Sequence, residues 1–109
     1  MSARRSISIM LHVEELPRFG TAAFIMAFGH AAAPAVGTMC KLLDVKPPTS
    51  FAGELLCAGG RNYGATGAGR NMYTLDHQGV HYVLEHIGVV CLPDGDFSRI
   101  RVSATVLSN

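Results

Sequence analysis

The residues with the clearest chemical potential lie in the second half of the chain. His81 and Glu85 stand four residues apart, and an imidazole near a carboxylate suits acid–base catalysis or metal binding. On a helix they would be neighbours, but on the strand predicted below four residues cover about 13 Å. The two side chains therefore cannot hold one ion, and we expect no bound metal and no cofactor. Glu85 is expected instead to pair with Arg101, one diagonal step away on the next strand.

A glycine-rich stretch, CAGGRNYGATGAGRN at residues 57–71, is the second candidate site. Its glycines free the backbone N–H groups to form an anion-binding nest, in which Gly67 and Gly69 would take conformations that alanine resists. The spacing fits neither a dinucleotide-binding loop nor a P-loop, which needs Gly-Lys-Ser/Thr before a helix. A flexible connection would use the same glycines, so both interpretations stay open. The flanking side chains would supply positive charge and one flat apolar wall: Arg61, Arg70 and Tyr63.

Nucleophilic catalysis has less support in the sequence. The chain contains no G-x-S-x-G motif and no CxxC pair. Its three cysteines are widely spaced, and we expect small buried side chains in a reducing compartment. They are Cys40, Cys57 and Cys91. Only Cys40 has an adjacent basic residue, Lys41, that would favour a thiolate. An enzyme with His81 or His86 as general base, and an arginine that stabilises an oxyanion, remains an alternative.

Length and composition predict a single domain, residues 1–109, that associates with itself. Hydrophobic residues make up 49% of the chain and charged residues only 16%. So small a domain has too much surface to bury this apolar material alone, which favours a homodimer or higher oligomer, a ligand cavity, or both. The net charge of +1 gives no reason to expect a nucleic-acid partner.

One apolar segment, residues 19–37, requires comparison with a membrane span. It carries no charged residue, but much of it is alanine and glycine, and it is interrupted by His30, Pro34 and Gly37. A helix buried in a soluble domain is the better interpretation. We therefore expect a cytoplasmic protein without a membrane partner.

The first half of the chain predicts one strand followed by helices. Residues 6–13 alternate strictly between apolar and polar, as in a strand with one buried face. A helix is expected from the N-cap Thr21 to Gly29 or to the Ala33–Pro34 pair, and a second helical run follows. Residues 51–58 are ambiguous between helix and strand. Helix is slightly favoured, with Ser50 as its cap and an end at Gly59–Gly60.

The second half predicts three consecutive antiparallel strands at about 71–76, 80–92 and 97–107. Asp94-Gly95 is a strong hairpin signal between the last two. Gly88 interrupts the alternation of the middle strand and indicates a bulge, which would place His81, Glu85 and Arg101 together on a polar face. The fold class is therefore α+β. It comprises a mostly antiparallel sheet, formed by the N-terminal strand and a three-stranded C-terminal meander, with helices packed on one face.

These features together predict a domain that binds a small, partly apolar and anionic molecule and that associates with itself. The site would combine the glycine-rich stretch with the outer face of the sheet. An enzyme with a histidine base is the first alternative, and a protein-interaction module is the second. The expected site residues are Arg61, Tyr63, Gly67, Gly69, Arg70, His81, Glu85 and Arg101.

Overall fold

The fold was obtained as a computed structural model of the chain. Its backbone is described for residues 4–14, 21–62, 64–65 and 71–107. Its side chains are described for residues 5–14, 21–57 and 72–107.

Five strands and two helices make up this part of the chain. In chain order they are β1 (Arg4–Glu14), α1 (Ala22–Leu42), α2 (Phe51–Asn62), β2 (Gly64–Ala65), β3 (Asn71–His77), β4 (Val80–Leu92) and β5 (Gly95–Leu107). The strands form one antiparallel sheet in the order β1-β5-β4-β3-β2. The predicted α+β class, with an N-terminal strand and a C-terminal meander, is confirmed.

The N-terminal strand, β1, forms one edge of the sheet and pairs with the last strand, β5. Ile7 lies opposite Ala104 and Ile9 opposite Val102. The alternate residues of β1 therefore continue the apolar face of β5 and pack against the core, as the alternation predicted. Pairing of β1 with β5 thus brings the first and last described strands side by side.

Helix α1 runs without a break, so the predicted stop at Gly29 or Ala33–Pro34 is wrong. Thr21 caps the helix as expected, since its Oγ1 accepts the Phe24 N–H at 3.1 Å. Pro34 lies inside the helix and faces solvent. A proline removes one helical hydrogen bond, but the buried face of this helix continues on both sides of it. Its buried residues are Phe24, Ile25, Phe28, Gly29, Ala32, Val36, Met39 and Cys40.

Helix α1 is also long and apolar enough to cross a membrane, by length and composition alone. Its mean hydropathy over the relevant window is 1.4, and 44% of that window is buried inside the domain. The buried part, with Phe51 and Leu55 of α2, provides the helical side of the hydrophobic core.

Helix α2 settles the ambiguity of residues 51–58 in favour of helix. Ser50 caps it by accepting the Gly53 N–H at 3.0 Å. The helix continues through the expected end at Gly59–Gly60 as far as Asn62. It crosses α1 closely, because a Cβ atom added to Gly29 would lie 2.5 Å from the Cα of Ala52. This glycine lets the two helices pack backbone to backbone.

The core lies between the helices and the inner face of the sheet. Aromatic rings fill its centre: Phe24 stacks on Tyr73 with ring centroids 6.1 Å apart, and Phe51 meets the edge of Tyr82 at 5.6 Å. The Tyr82 hydroxyl also lies 3.1 Å from the Cys40 Sγ. Burial, followed by this hydrogen bond, raises the pKa of Tyr82 well above its ordinary value, so the phenol stays protonated.

Two tight turns connect the meander. Gln78 and Gly79 both have positive φ, as in a type I′ turn between β3 and β4. Leu92 pairs with Gly95, so the β4–β5 turn is centred on residues 93–94, one residue earlier than an Asp-Gly turn would be. The predicted hairpin between β4 and β5 is confirmed. Gly95 has a φ of +140°, in the positive region that glycine adopts readily and other residues rarely do.

The predicted bulge is also present. The register of β4 and β5 shifts between His86 and Gly88, which leaves Ile87 as the extra residue. His86 thereby lies on the face that packs against the helices, and Glu85 lies on the other face. Val89 shares the face of His86 but is 55% exposed, beyond the part that the helices cover.

Candidate functional site

The outer face of the sheet brings together the three predicted site residues that the structure describes. Cross-strand pairing arranges this face in rows that run from β3 through β4 and β5 to β1. One row holds Asp76, His81, Thr105 and Ser6, and another holds Met72, Glu85, Arg101 and Met10. His81, Glu85 and Arg101 therefore share a face, but their rows are separated by about 13 Å along the strand.

Glu85 and Arg101 form the expected pair, but directly opposite each other and not on a diagonal. The Arg101 Nη1 lies 3.4 Å from the Glu85 Oε1. Glu85 is only 7% exposed and is the buried charged residue of the described chain, while the Arg101 side chain is 46% exposed. The arginine compensates a carboxylate that is largely removed from water.

His81 has a carboxylate partner that the sequence did not indicate. Its Nδ1 lies 2.5 Å from the Oδ1 of Asp76, directly across the β3–β4 pair. The Asp76 side chain is 81% exposed, so the pair lies open to solvent. His86 faces the helices, where burial lowers its pKa and favours the neutral ring. The two histidines considered as general bases thus lie on opposite faces and cannot share a site.

The outer face becomes apolar toward the β4–β5 turn. A groove of about 310 Å³ lies there, lined by His12, Val90, Leu92 and Phe97. Leu92 is 48% exposed. The surface at this end of the face is mainly apolar and has few hydrogen-bonding groups. Such a surface suits contact with another protein more than contact with a polar ligand.

A second groove, of about 400 Å³, lies on the opposite side of the molecule between α2 and the end of β3. Its lining residues are Thr49, Ser50, Gly53, Glu54, Cys57 and His77. Glu54 and Cys57 are three residues apart on α2 and so lie on one side of the helix. His77 is the last residue of β3, and its pairing with Val80 directs it toward the helical layer. The groove thus combines an acid, a thiol and an imidazole.

The two ring nitrogens of His77 have different surroundings in this groove. Its Nε2 lies 3.9 Å from the Glu54 Oε2, close enough for an ion pair if the ring is protonated. Its Nδ1 is buried and has no hydrogen-bond partner among the residues that the structure describes. The Nε2 is therefore the ring nitrogen that is available to the groove.

The sequence interpretation missed this second groove. It treated Cys57 as a buried cysteine, whereas Cys57 and Cys91 are exposed and only Cys40 is buried. The i, i+3 spacing of Glu54 and Cys57 was a usable signal once residues 51–58 were taken as helix. Nothing in the local sequence indicated that His77 would meet that side of the helix.

The three cysteines have three different environments. Cys40 is buried against Tyr82, and Cys57 lines the groove with His77. Cys91 is exposed near the hairpin turn, where its hydrogen bond to Asp96 and the negative charge of that carboxylate raise the pKa of the thiol. Only Cys57 has an imidazole lining the same cavity, within the described part of the chain.

The remaining predicted site residues fall where side chains are not described. They are Arg61, Tyr63, Gly67, Gly69 and Arg70. The anion nest in the glycine-rich stretch therefore stays a prediction. Among the residues that are described, no group of three or more histidine, cysteine and acidic side chains is arranged to hold a metal ion.

No protein-family model, no curated protein and no solved structure matches the chain. The described residues form an α+β domain with a groove between α2 and the end of β3 and an exposed outer sheet face.

Proposed function

We propose that this protein is a small-molecule-binding domain whose site is the groove between α2 and β3. The observation that carries the proposal is the convergence of Glu54, Cys57 and His77 on one cavity of about 400 Å³. A concave site with a few polar groups directed into it is the usual form of a small-molecule site. The side chains that line the groove include hydrogen-bond donors and hydrogen-bond acceptors. Among its described residues, the Glu54 carboxylate is the one group with a permanent charge at neutral pH.

The composition of the groove bears on the kind of ligand. The sequence favoured an anionic, partly apolar ligand because of Arg61 and Arg70. The described lining supplies no arginine or lysine, so a purely anionic ligand would depend on those two residues. A ligand with a hydroxyl, carbonyl or amino group, and a short apolar part, suits the described lining alone.

The test is an NMR titration of ¹⁵N-labelled protein with three probes: butyrate, inorganic phosphate and butylamine. We expect at least one of them to shift the amide signals of Gly53, Cys57 and His77. The substitution His77→Ala should remove these shifts, and His81→Ala on the outer face should not. Shifts confined to the outer face, or no shifts with any probe at millimolar concentration, would refute the groove as the site.

We further propose that the outer face of the sheet is the surface through which the protein associates with itself. Four strands present a flat face of roughly 600 Å² per chain by strand spacing and rise, close to the ~800 Å² per partner of a standard interface. Both charge signs occur on it, in Arg101 and Asp76, and its turn end is apolar. Two such faces can pack as a sandwich about 10 Å apart.

A reducing compartment such as the cytoplasm is the proposed location. All three cysteines are free thiols. Two of them are exposed, and exposed thiols persist where glutathione keeps them reduced. Mass spectrometry of the protein alkylated in intact cells would test this, since blocked cysteines would indicate an oxidising compartment.

A further inference from the structure

We infer that the free edge of β1 pairs with the same edge of a second copy of this chain, so that two five-stranded sheets become one ten-stranded sheet. The inference rests on the self-association proposed above and adds a second, separate contact to it. In the part of the chain that the structure describes, β1 pairs with β5 on one side and with no strand on the other. The backbone N–H and C=O groups on that side can bond to an extended strand of another chain.

The strand β1 lacks the features by which edge strands usually avoid pairing. Those features are short length, prolines, bulges and charged side chains along the strand. β1 is 11 residues long and pairs with β5 in an uninterrupted register. Residues 6–13 contain no lysine, arginine, acidic residue, proline or glycine. The strand at the opposite edge, β2, has only two residues. β1 is therefore the edge of the described sheet that is suited to pairing.

The charges at the two ends of β1 indicate which partner fits this edge. The strand begins with Arg4 and Arg5 and ends with Glu14. Antiparallel pairing of two copies brings the basic start of each strand beside the acidic end of the other. Parallel pairing would bring like charges together, which is unfavourable for residues directly opposite each other. The edge is thus complementary to itself in the antiparallel direction.

One register matches both the faces and the charges of the two strands. When the pairing is centred on Ile9, all eleven residues are paired and Arg4 lies opposite Glu14 of the partner subunit. Residues directly opposite each other share a face, so the apolar face of one sheet continues into the other. A register centred on Met10 also aligns the faces, but it pairs only residues 6–14 and leaves both arginines outside. The register centred on Ile9 is therefore the one that we propose.

The size of the edge indicates how it would contribute to assembly. A strand of 11 residues is about 36 Å long, and with a sheet thickness of about 10 Å its edge covers roughly 360 Å². This is less than half of the ~800 Å² per partner of a standard interface, so the edge contact is weak by itself. Two different contacts that each relate a pair of copies by a twofold axis build a closed tetramer. We therefore expect the edge to join two outer-face dimers.

The experiment is analytical ultracentrifugation from low to high micromolar concentration, with charge reversals at the two ends of β1. The wild type should pass from dimer to tetramer. Glu14→Arg should raise the dissociation constant of the tetramer by about tenfold, because two attractive pairs become repulsive. Addition of Arg4→Glu to this variant should restore the wild-type constant. The two positions are about 33 Å apart within one chain, so the restoration can act only between chains.

A matched control and a direct measurement at the strand accompany this experiment. Asp44→Arg changes the net charge by the same amount at an exposed position just after α1, and it should leave the tetramer unchanged. Hydrogen exchange followed by NMR reports on the β1 amides that point away from β5. They should exchange slowly in the wild-type tetramer and rapidly in Glu14→Arg at the same concentration, because only pairing protects them from water.

Two results would overturn the inference. They are a tetramer that the combined reversal does not restore, and rapid exchange of the outward β1 amides at concentrations where assembly is complete. The two contacts fail separately. A wild-type dimer that Phe97→Asp breaks and Glu14→Arg leaves intact would refute the edge contact and support the outer face. A dimer with the opposite response would support the edge contact and refute the outer face, and a monomeric wild type would refute both.

Discussion

Glu85 and Arg101 lie directly opposite each other only because β4 contains a bulge. Between the turn and Gly88 the register pairs Leu92 with Gly95, and this register continued without interruption would place Glu85 opposite Val102. The extra residue Ile87 shifts the pairing by one, so that the carboxylate meets the arginine at 3.4 Å on the same face. The bulge thus matches a nearly buried charge with its partner.

The first prediction concerns this pair. Arg101→Ala should destabilise the domain by about 1–2 kcal/mol, since it removes a charged partner from a buried carboxylate, with a discount for the half-exposed arginine. The matched control is Asp76→Asn, which breaks an exposed pair on the same face and should cost at most about 0.5 kcal/mol. Urea unfolding of both variants measures the difference. An equal loss of unfolding free energy in the two variants would mean that burial of Glu85 has no energetic consequence.

The second prediction concerns the β4–β5 hairpin. Gly95→Val should destabilise by about 1–3 kcal/mol, because a β-branched residue is strained at the φ of +140° found there. Gly88→Ala is the control in the neighbouring strand, where an added Cβ meets nothing within 4 Å and φ is ordinary. Thermal melts of the two variants are compared. An unchanged melting temperature for Gly95→Val would show that the turn adopts another conformation.

The third prediction concerns the crossing of the two helices. Gly29→Ala should destabilise by about 1–3 kcal/mol, because the new methyl group would overlap the backbone of Ala52 and push α2 away. Gly37→Ala in the same helix should stabilise by about 0.5–1 kcal/mol, since that position is open and alanine favours helix. Denaturant midpoints should therefore move in opposite directions. A shift of the same sign for both would contradict the close helix contact.

The fourth prediction is a pH dependence at Tyr82. Its pKa is raised in the folded state, so between the unfolded value of about 10 and the folded value the unfolded chain alone releases the proton. Stability from this group is fully present below about pH 10 and is lost as the pH rises further. Wild type should therefore lose stability above pH 10 more steeply than Tyr82→Phe. Parallel unfolding curves in alkaline urea would contradict this.

The fifth prediction concerns self-association. Light scattering of the wild type at high micromolar concentration should give a dimer or larger species. Phe97→Asp, in the apolar groove of the outer face, should shift it to monomer because it would bury a carboxylate in the interface. Leu42→Asp, at a 67% exposed position on α1, is the control that should leave the mass unchanged. A monomeric wild type would refute the proposed interface.

Most of the fold could be predicted from the sequence because its signals are local. The alternation in β1, the caps Thr21 and Ser50, the β4–β5 hairpin and the bulge at Gly88 each depend on the conformational preferences of a few adjacent residues. These preferences act regardless of what packs above them. The outer-face position of Glu85 and Arg101 followed from the same local reasoning.

The tertiary structure decided what depends on distant contacts. Pro34 remains inside α1 because residues on both sides of it pack in the core. The burial of those residues outweighs the one hydrogen bond that the proline removes, and this burial cannot be predicted from the neighbouring residues alone. In the same way, Glu54, Cys57 and His77 meet because α2 packs over the end of β3, between segments about twenty residues apart in the chain. The sequence by itself determined the four long strands and the faces of the sheet, but not the two-residue strand β2. Only packing of the helices on the sheet determined which reactive side chains line one groove.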